Sequence, residues 1–358
     1  MPVSERVSTR NPKTRKRTSA RRLSLGAAAI GAAVALVSGC GTGGDDASST
    51  IVRTTTNIAG ASVVGIERDT TRACALPSAP DQASGTHTVA GAQVPADPKR
   101  IVVLDTAALD AVCAVGLWER VVGTTTLPGP APQPGYLGTG VLKIPSVGGT
   151  GAVDMAKISE LQPDLILGSA GDGDLGALRG VAPTVLVERK GWADDFTGYA
   201  AALGRGSAGA KALADYRTDA RETGASIAAN FSQASVIRFS DKDIQVQGDD
   251  TFAGQVLADA GVQRPGAQRD GSFPVDSLST KNDRNKIEGD IIYLMLDGPD
   301  GKSYAESVMK GDDWKKLSAV SDKRDFVVED DIWHGSGVTA ARAILDDLRK
   351  TLNGYVTD

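Results

Sequence analysis

The sequence predicts an α/β protein organised as lobe, long helix, lobe. Three observations predict it. From Lys99 onward, short continuous apolar runs alternate with helically spaced segments. Such runs suit strands covered on both faces of a parallel sheet, and the alternation suits parallel α/β architecture. The rhythm breaks once, at residues 207–229, where Ala210, Leu213, Ala214, Arg217, Ala220 and Ile227 keep helical spacing. A helix of that length is a rod of about 34 Å. The strand–helix rhythm then resumes to the C-terminus. The expected division is a signal peptide over 1–39, a tether and arm over 40–98, a first lobe over 99–206, a linker helix over 207–230 and a second lobe over 231–358.

Residues 1–22 are basic, 23–37 are apolar and Ala-rich, and LVSGC ends at Cys40. A basic start, a short apolar run and small residues before a cleavage point predict a secretory signal. An apolar run of about 15 residues is short for a membrane span. LVSGC resembles the lipobox of bacterial lipoproteins, which implies lipidation at Cys40 and anchoring at the outer face of the cytoplasmic membrane. Arg21 and Arg22 leave the choice between the general and the twin-arginine export routes open. Residues 1–39 carry a net charge of +7 against −5 for the whole chain, so the remainder from Cys40 onward carries −12. So acidic a body repels nucleic acid. Two further cysteines, Cys74 and Cys113, predict a disulfide in an exported protein, the alternative being two buried thiols.

Residues 41–98 are rich in Thr, Ser, Ala, Gly and Pro and read as a tether followed by an irregular arm, with short strands such as SVVGIE. RIVVLD is then a strand, TAALDAVCAVGL a helix with Leu109, Val112, Cys113 and Leu117 on one side, and RVVGTT a strand. A Pro/Gly loop runs from about Leu127 to Gly140. DMAKISEL is a short helix, and PDLILGS and TVLVE are strands. Ser207 is placed to cap the long helix. Beyond it, SVIRFS, IQVQG, DIIYLMLD and DFVVED read as strands. TFAGQVLADAGV, DWKKLSAV and the amphipathic VTAARAILDDLRKTL read as helices.

From about residue 97 to 353 this order resembles the class III solute-binding proteins that serve siderophore and vitamin B12 importers, and in character the actinobacterial FecB-type iron-chelate lipoproteins. Four strings carry the resemblance in the right order: PKRIVVLDTAALDAVCAVGLWERVVG, KISELQPDLILGS, TFAGQVLADAGVQRP and DWKKLSAVSDKRDFVVEDDIWHGSGVTAARAILDDL. It implies two Rossmann-like lobes joined by a single long rigid α-helix, with the ligand in a cleft between them. It also implies a monomer, a ferric siderophore as ligand, and an ABC permease as partner. Members often carry a Glu on each lobe to dock the permease. Here Ala156 stands at the first such position with Asp154 two residues earlier, and Asp276 stands at the second, which leaves open the alternative of an envelope iron-chelate retention or scaffold protein without a dedicated permease.

Ligands of parallel α/β sheets sit beyond the C-terminal ends of strands. That nominates the loops at 105–107, 124–136, 149–151, 169–174 and 188–192, and at 238–242, 297–304 and 331–337. A bulky, often anionic chelate calls for cationic donors and flat surfaces rather than metal ligands. The candidates are Arg189, Trp192, Arg238, Trp333 and Tyr136, followed by Tyr304 and Lys190. Each has a structural alternative: Arg189 and Lys190 as solvated charges, Trp192 as a roof on the long helix, Trp333 as a packing residue. With two histidines in the chain, bare metal capture is not expected. Haem is the alternative ligand, with Tyr304 or His334 on its iron; His334 also suits a surface loop.

No enzyme is expected. Gly204, Gly206 and Gly209 have dinucleotide-loop spacing but follow a helical segment rather than a strand. HGSGV lacks the nucleophile-elbow pattern. Neither a phosphate-binding loop nor a cysteine-rich zinc pattern is present in the sequence.

Overall fold

Ile101–Val103 is the central strand of a six-stranded sheet, and its three side chains are fully buried. It pairs in parallel with Val121–Thr126 on one side and Leu165–Ser169 on the other. Thr184–Val187 and Ser146–Gly149 extend the sheet in parallel, and Ala152–Val153 closes one edge antiparallel. This computed structural model describes residues 55–129 and 131–352; the leader over 1–39 and Cys40 lie outside the described residues.

A second sheet has seven strands. Ala234–Phe239, Ile291–Leu296 and Asp325–Val328 run parallel, and Ile244–Val246 and Phe273–Pro274 add antiparallel strands at one edge. The other edge corrects the expected arm over 40–98. Ala61–Val63 pairs in parallel with Asp325–Val328, and Asn57–Ile58 folds back upon it. Ala59 and Gly60 form the turn with φ of 50° and 110°, as two-residue hairpins require. Thr86–Val89 and Ala92–Pro95 form a separate hairpin. Strands of two to four residues are too short for alternation to reveal, which is why this segment reads as irregular.

Thr106–Ala114 follows the central strand, capped by Asp105, whose carboxylate accepts from Ala108 N at 2.6 Å. Cys113 near its end is bonded to Cys74. Gly116 follows with φ of +76°, and a Cβ there would lie 2.1 Å from the Leu76 carbonyl oxygen. Only glycine lets the arm approach so closely.

The long helix runs Gly206–Ser226, 21 residues. Ser207 does not cap it but lies inside its first turn, and its N–H donates to the Asp81 carboxylate of the arm at 3.2 Å. Leu213, Tyr216, Ala220 and Thr223 bury one face, which packs on the Trp192–Ala202 and Val338–Leu352 helices. Ala228 then turns left-handed, with φ of 50°. DWKKLSAV is also corrected: extended Leu317 splits it into the turn Trp314–Lys316 and the short helix Ser318–Ser321.

One apolar core reaches both sheets through these helices and includes Val103, Leu109, Phe196, Tyr216, Val236, Tyr293 and Ile344. Asp110 crosses it. Its carboxylate accepts from Thr339 N and Ala340 N, both at 2.9 Å, and from the Tyr136 hydroxyl at 3.1 Å. A side chain from the first half of the chain thus caps the closing helix Val338–Leu352 of the second. Burial pushes this carboxyl up to about 6 against those three donors. Among the described residues no helix is long and apolar enough to cross a membrane.

Candidate functional site

The C-terminal ends of strands from both sheets line one crevice of about 760 Å³, within the range that holds small organic ligands. The first sheet contributes Asp105–Ala107, Leu127–Gly129 with Ala131, Thr150 and Arg189. The second contributes Arg238, Leu296–Pro299, Glu329–Asp331 and His334–Ser336. These positions fall in the loops that the strand-end rule nominates, with Leu296, Glu329 and Asp330 just before two of them.

The electrostatics differ from expectation. Five carboxylates line the crevice (Asp105, Asp297, Glu329, Asp330 and Asp331) against the guanidiniums of Arg189 and Arg238. Arg238 is firmly engaged and Arg189 loosely. Arg238 grips Asp330 with two bonds, Nε to Oδ1 at 2.7 Å and Nη2 to Oδ2 at 2.9 Å, and its Nη2 lies 3.1 Å from Asp297 Oδ1. The Asp330 carboxylate raises the Arg238 pKa against partial burial. Arg189 Nη2 lies 3.7 Å from Asp172 Oδ1 and 4.0 Å from Asp105 Oδ2.

Under Arg189 sits a buried polar knot. Asp105 Oδ2 accepts a short bond from the Ser169 hydroxyl, which in turn lies 2.6 Å from the Tyr199 hydroxyl. Asp172 accepts from Ser169 N at 2.6 Å. Burial first, and then the neighbouring Asp105, push the Asp172 carboxyl up to about 7. Across the crevice, loss of hydration depresses the His334 pKa, and the Arg238 charge adds to it.

Of the expected ligand residues, Arg189, Arg238 and His334 line the crevice. Three aromatic assignments are corrected to packing roles. Tyr136 is 2% exposed and donates to Asp110. Trp192 meets Tyr216 and Phe252 edge-on, with ring centroids 5.2 and 5.5 Å apart. Trp333 lies against Tyr293 at 4.4 Å and donates from Nε1 to Asp347 at 2.9 Å. Tyr304 packs against Phe239 rather than lining the crevice, and Lys190 pairs with Glu188 at 3.2 Å. The crevice lining described therefore holds no Trp, Tyr or Phe. The residues the sequence reading missed are the acids. Asp105, Asp297 and Glu329–Asp331 end or follow apolar strand runs, which was the available signal.

Asp154 caps the helix Met155–Glu160, accepting from Ala156 N at 3.1 Å and Lys157 N at 3.2 Å. The Lys157 backbone bond helps hold its carboxyl below the usual range. Asp276 is exposed. Among the described residues no group of three or more His, Cys, Asp or Glu is placed to hold a metal ion.

A parallel α/β frame with its crevice at facing strand ends defines a solute-binding architecture, and a family model described as "Periplasmic binding protein" matches residues 101–331. The chain belongs to that family. It is 27% identical over 273 residues to the probable siderophore-binding lipoprotein YfiY of Bacillus subtilis (strain 168), covering 71% of this chain and 82% of the relative. It is 28% identical over 291 residues to the putative ABC transporter substrate-binding lipoprotein YhfQ of the same organism, covering 75% and 87%. Among solved structures, Staphylococcus aureus SirA complexed with staphyloferrin B has the same fold. The TM-score is 0.62 at 22% identity, over 76% of this chain and 99% of that one.

Proposed function

We propose that this chain is an extracytoplasmic solute-binding lipoprotein that captures a ferric siderophore for import by an ABC permease. The single observation that carries the reading is the crevice of about 760 Å³ at facing strand ends, in a member of the periplasmic binding protein family. The names of its relatives point the same way. In this reading each sheet is the centre of a Rossmann-like lobe, and the Gly206–Ser226 helix is the stiff bridge between them. Residues 1–39 direct export, and a lipid on Cys40 anchors the mature monomer outside the cytoplasmic membrane. Asp154 and Asp276 face the permease. The work of the site is capture and release, with no bond made or broken in the protein.

The test is titration calorimetry of the purified protein with ferric hydroxamate, catecholate and citrate chelates. Saturable one-to-one binding to at least one class is expected, and heat without saturation for all of them removes the reading. His334 on the crevice wall supports one competitor. A Soret shift on adding haemin that is lost in His334→Ala would assign the crevice to haem instead.

A further inference from the structure

We propose that the crevice selects ferric chelates of zero or positive net charge, and that Asp331 receives the cationic arm of the bound ligand. This rests on the siderophore reading and narrows it to a ligand class.

An anionic chelate needs cations free to meet it. Arg238 is committed to Asp330 by two bonds and to Asp297 by a third contact. Turning it toward an anion would leave both carboxylates facing the same ligand. Breaking a half-buried pair in this way strands a charge in poor solvent. Arg189 sits over two carboxylates, Asp105 and Asp172, and the former is itself part of the crevice lining. His334 is biased towards its neutral form by its surroundings. The crevice lining therefore sets five carboxylates against two guanidiniums, and of these only the loosely held Arg189 is free to turn to an anion.

The negative groups are differently placed. Glu329 lies 3.6 Å from Arg68, a partner beneath the wall rather than within the crevice lining. Asp331 is exposed on the wall and makes no hydrogen bond or ion pair with the described residues. Next to it, Asp330 is spent on Arg238. Asp331 is thus the carboxylate left for a ligand. The acids do not converge as a metal cage would, so their field acts on a ligand broad enough to fill the crevice. An organic chelate carrying an ammonium arm has that form: a compact iron core against Leu127, Pro128, Leu296 and Pro299, and a positive tail at Asp331.

The probe is a linear ferric trihydroxamate ending in a free amine, ferrioxamine B, with two derivatives. N-acetylation of the amine removes the positive charge, and N-succinylation replaces it with a negative one. The iron core stays the same, so ligand charge is the main variable. Calorimetry at low salt is expected to rank amine, acetyl and succinyl forms in that order, with about tenfold loss of affinity per charge step. Asp331→Asn is expected to shrink the gap between amine and acetyl forms to about twofold or less. Asp312→Asn, which removes an exposed acid outside the crevice lining, is expected to leave the ranking intact. Equal affinities, or tighter binding of the succinyl form, would overturn the charge rule while leaving siderophore capture standing. An unchanged gap in Asp331→Asn would overturn the role of that residue. Failure of every chelate, including citrate and catecholate forms, would remove the siderophore reading and this inference with it.

Discussion

Arg238 and Arg189 look alike in the sequence, two cations just past apolar runs, yet they hold their positions with different strength. Arg238 is 21% exposed and bound twice to one carboxylate, whereas Arg189 is 62% exposed and stands off at 3.7 Å from its nearest. Geometry of the first kind makes charge-assisted hydrogen bonds, and that of the second is largely screened. Arg238→Ala is expected to cost about 2 kcal/mol of stability, and Arg189→Ala less than about 1 kcal/mol, both read from urea midpoints. Equal losses would contradict this picture. The same scale shows what a single sequence conceals. The arginines were legible as crevice-lining positions because they stand at or just past strand ends, whereas His334 lies beyond the short helix Asp330–Trp333. Tyr136, Trp192 and Trp333 were not, because their partners lie far along the chain. The Tyr136 hydroxyl finds Asp110, and the Trp333 indole finds Asp347, which is fully buried. A ring with a satisfied polar handle can be buried as readily as one without, and no local pattern announces the partner.

Elements are joined here by a few specific devices. The Thr106–Ala114 helix carries two of them, Cys113 and Asp110. In the chain-entropy account, a bridge over a sequence separation of 39 stabilises by about 4 kcal/mol. Cys74→Ser with Cys113→Ser is expected to lower the urea midpoint accordingly, and an unchanged midpoint would show the bridge to be idle. Asp110→Ala removes the acceptor of two backbone N–H groups and a phenol in a dry core. The expected loss is about 3 kcal/mol or more, with Asp110→Asn losing less because one acceptor oxygen survives. The helices themselves were largely readable. Val338–Leu352 follows its apolar spacing from end to end, and the long helix differs from expectation by a residue at its start and about three at its end. The strands at 57–63 were not readable, since the edge they complete belongs to residues 325–328, near the other end of the chain.

The molecule as a whole carries several buried acids whose carboxyls are raised. Burial raises those of Asp172 to about 7 and Asp110 to about 6, and also raises those of Asp325 and Asp347. In an unfolded chain such groups titrate near about 4. Between about pH 4 and 7 these carboxyls bind more protons in the folded state and stabilise it as the pH falls, while the depressed His334 works in the opposite sense. The opposite sign holds for Asp97, whose carboxyl is held far below its usual range by Arg205, Lys99 and Arg120 despite some burial. Its contribution is lost only in stronger acid. The thermal midpoint is thus expected to be higher at pH 5 than at pH 8 and to fall below about pH 3.5; a monotonic rise toward alkali would contradict the assignment. The leading segment has its own consequence at this scale. It adds a strand to the second sheet at 61–63, sets Arg68 on Asp347 at 2.8 Å, bonds Cys74 to Cys113, and gives Asp81 to the start of the long helix. This one stretch is therefore fastened to the second sheet and to helices of both halves of the chain. Removing it would undo all four fastenings at once.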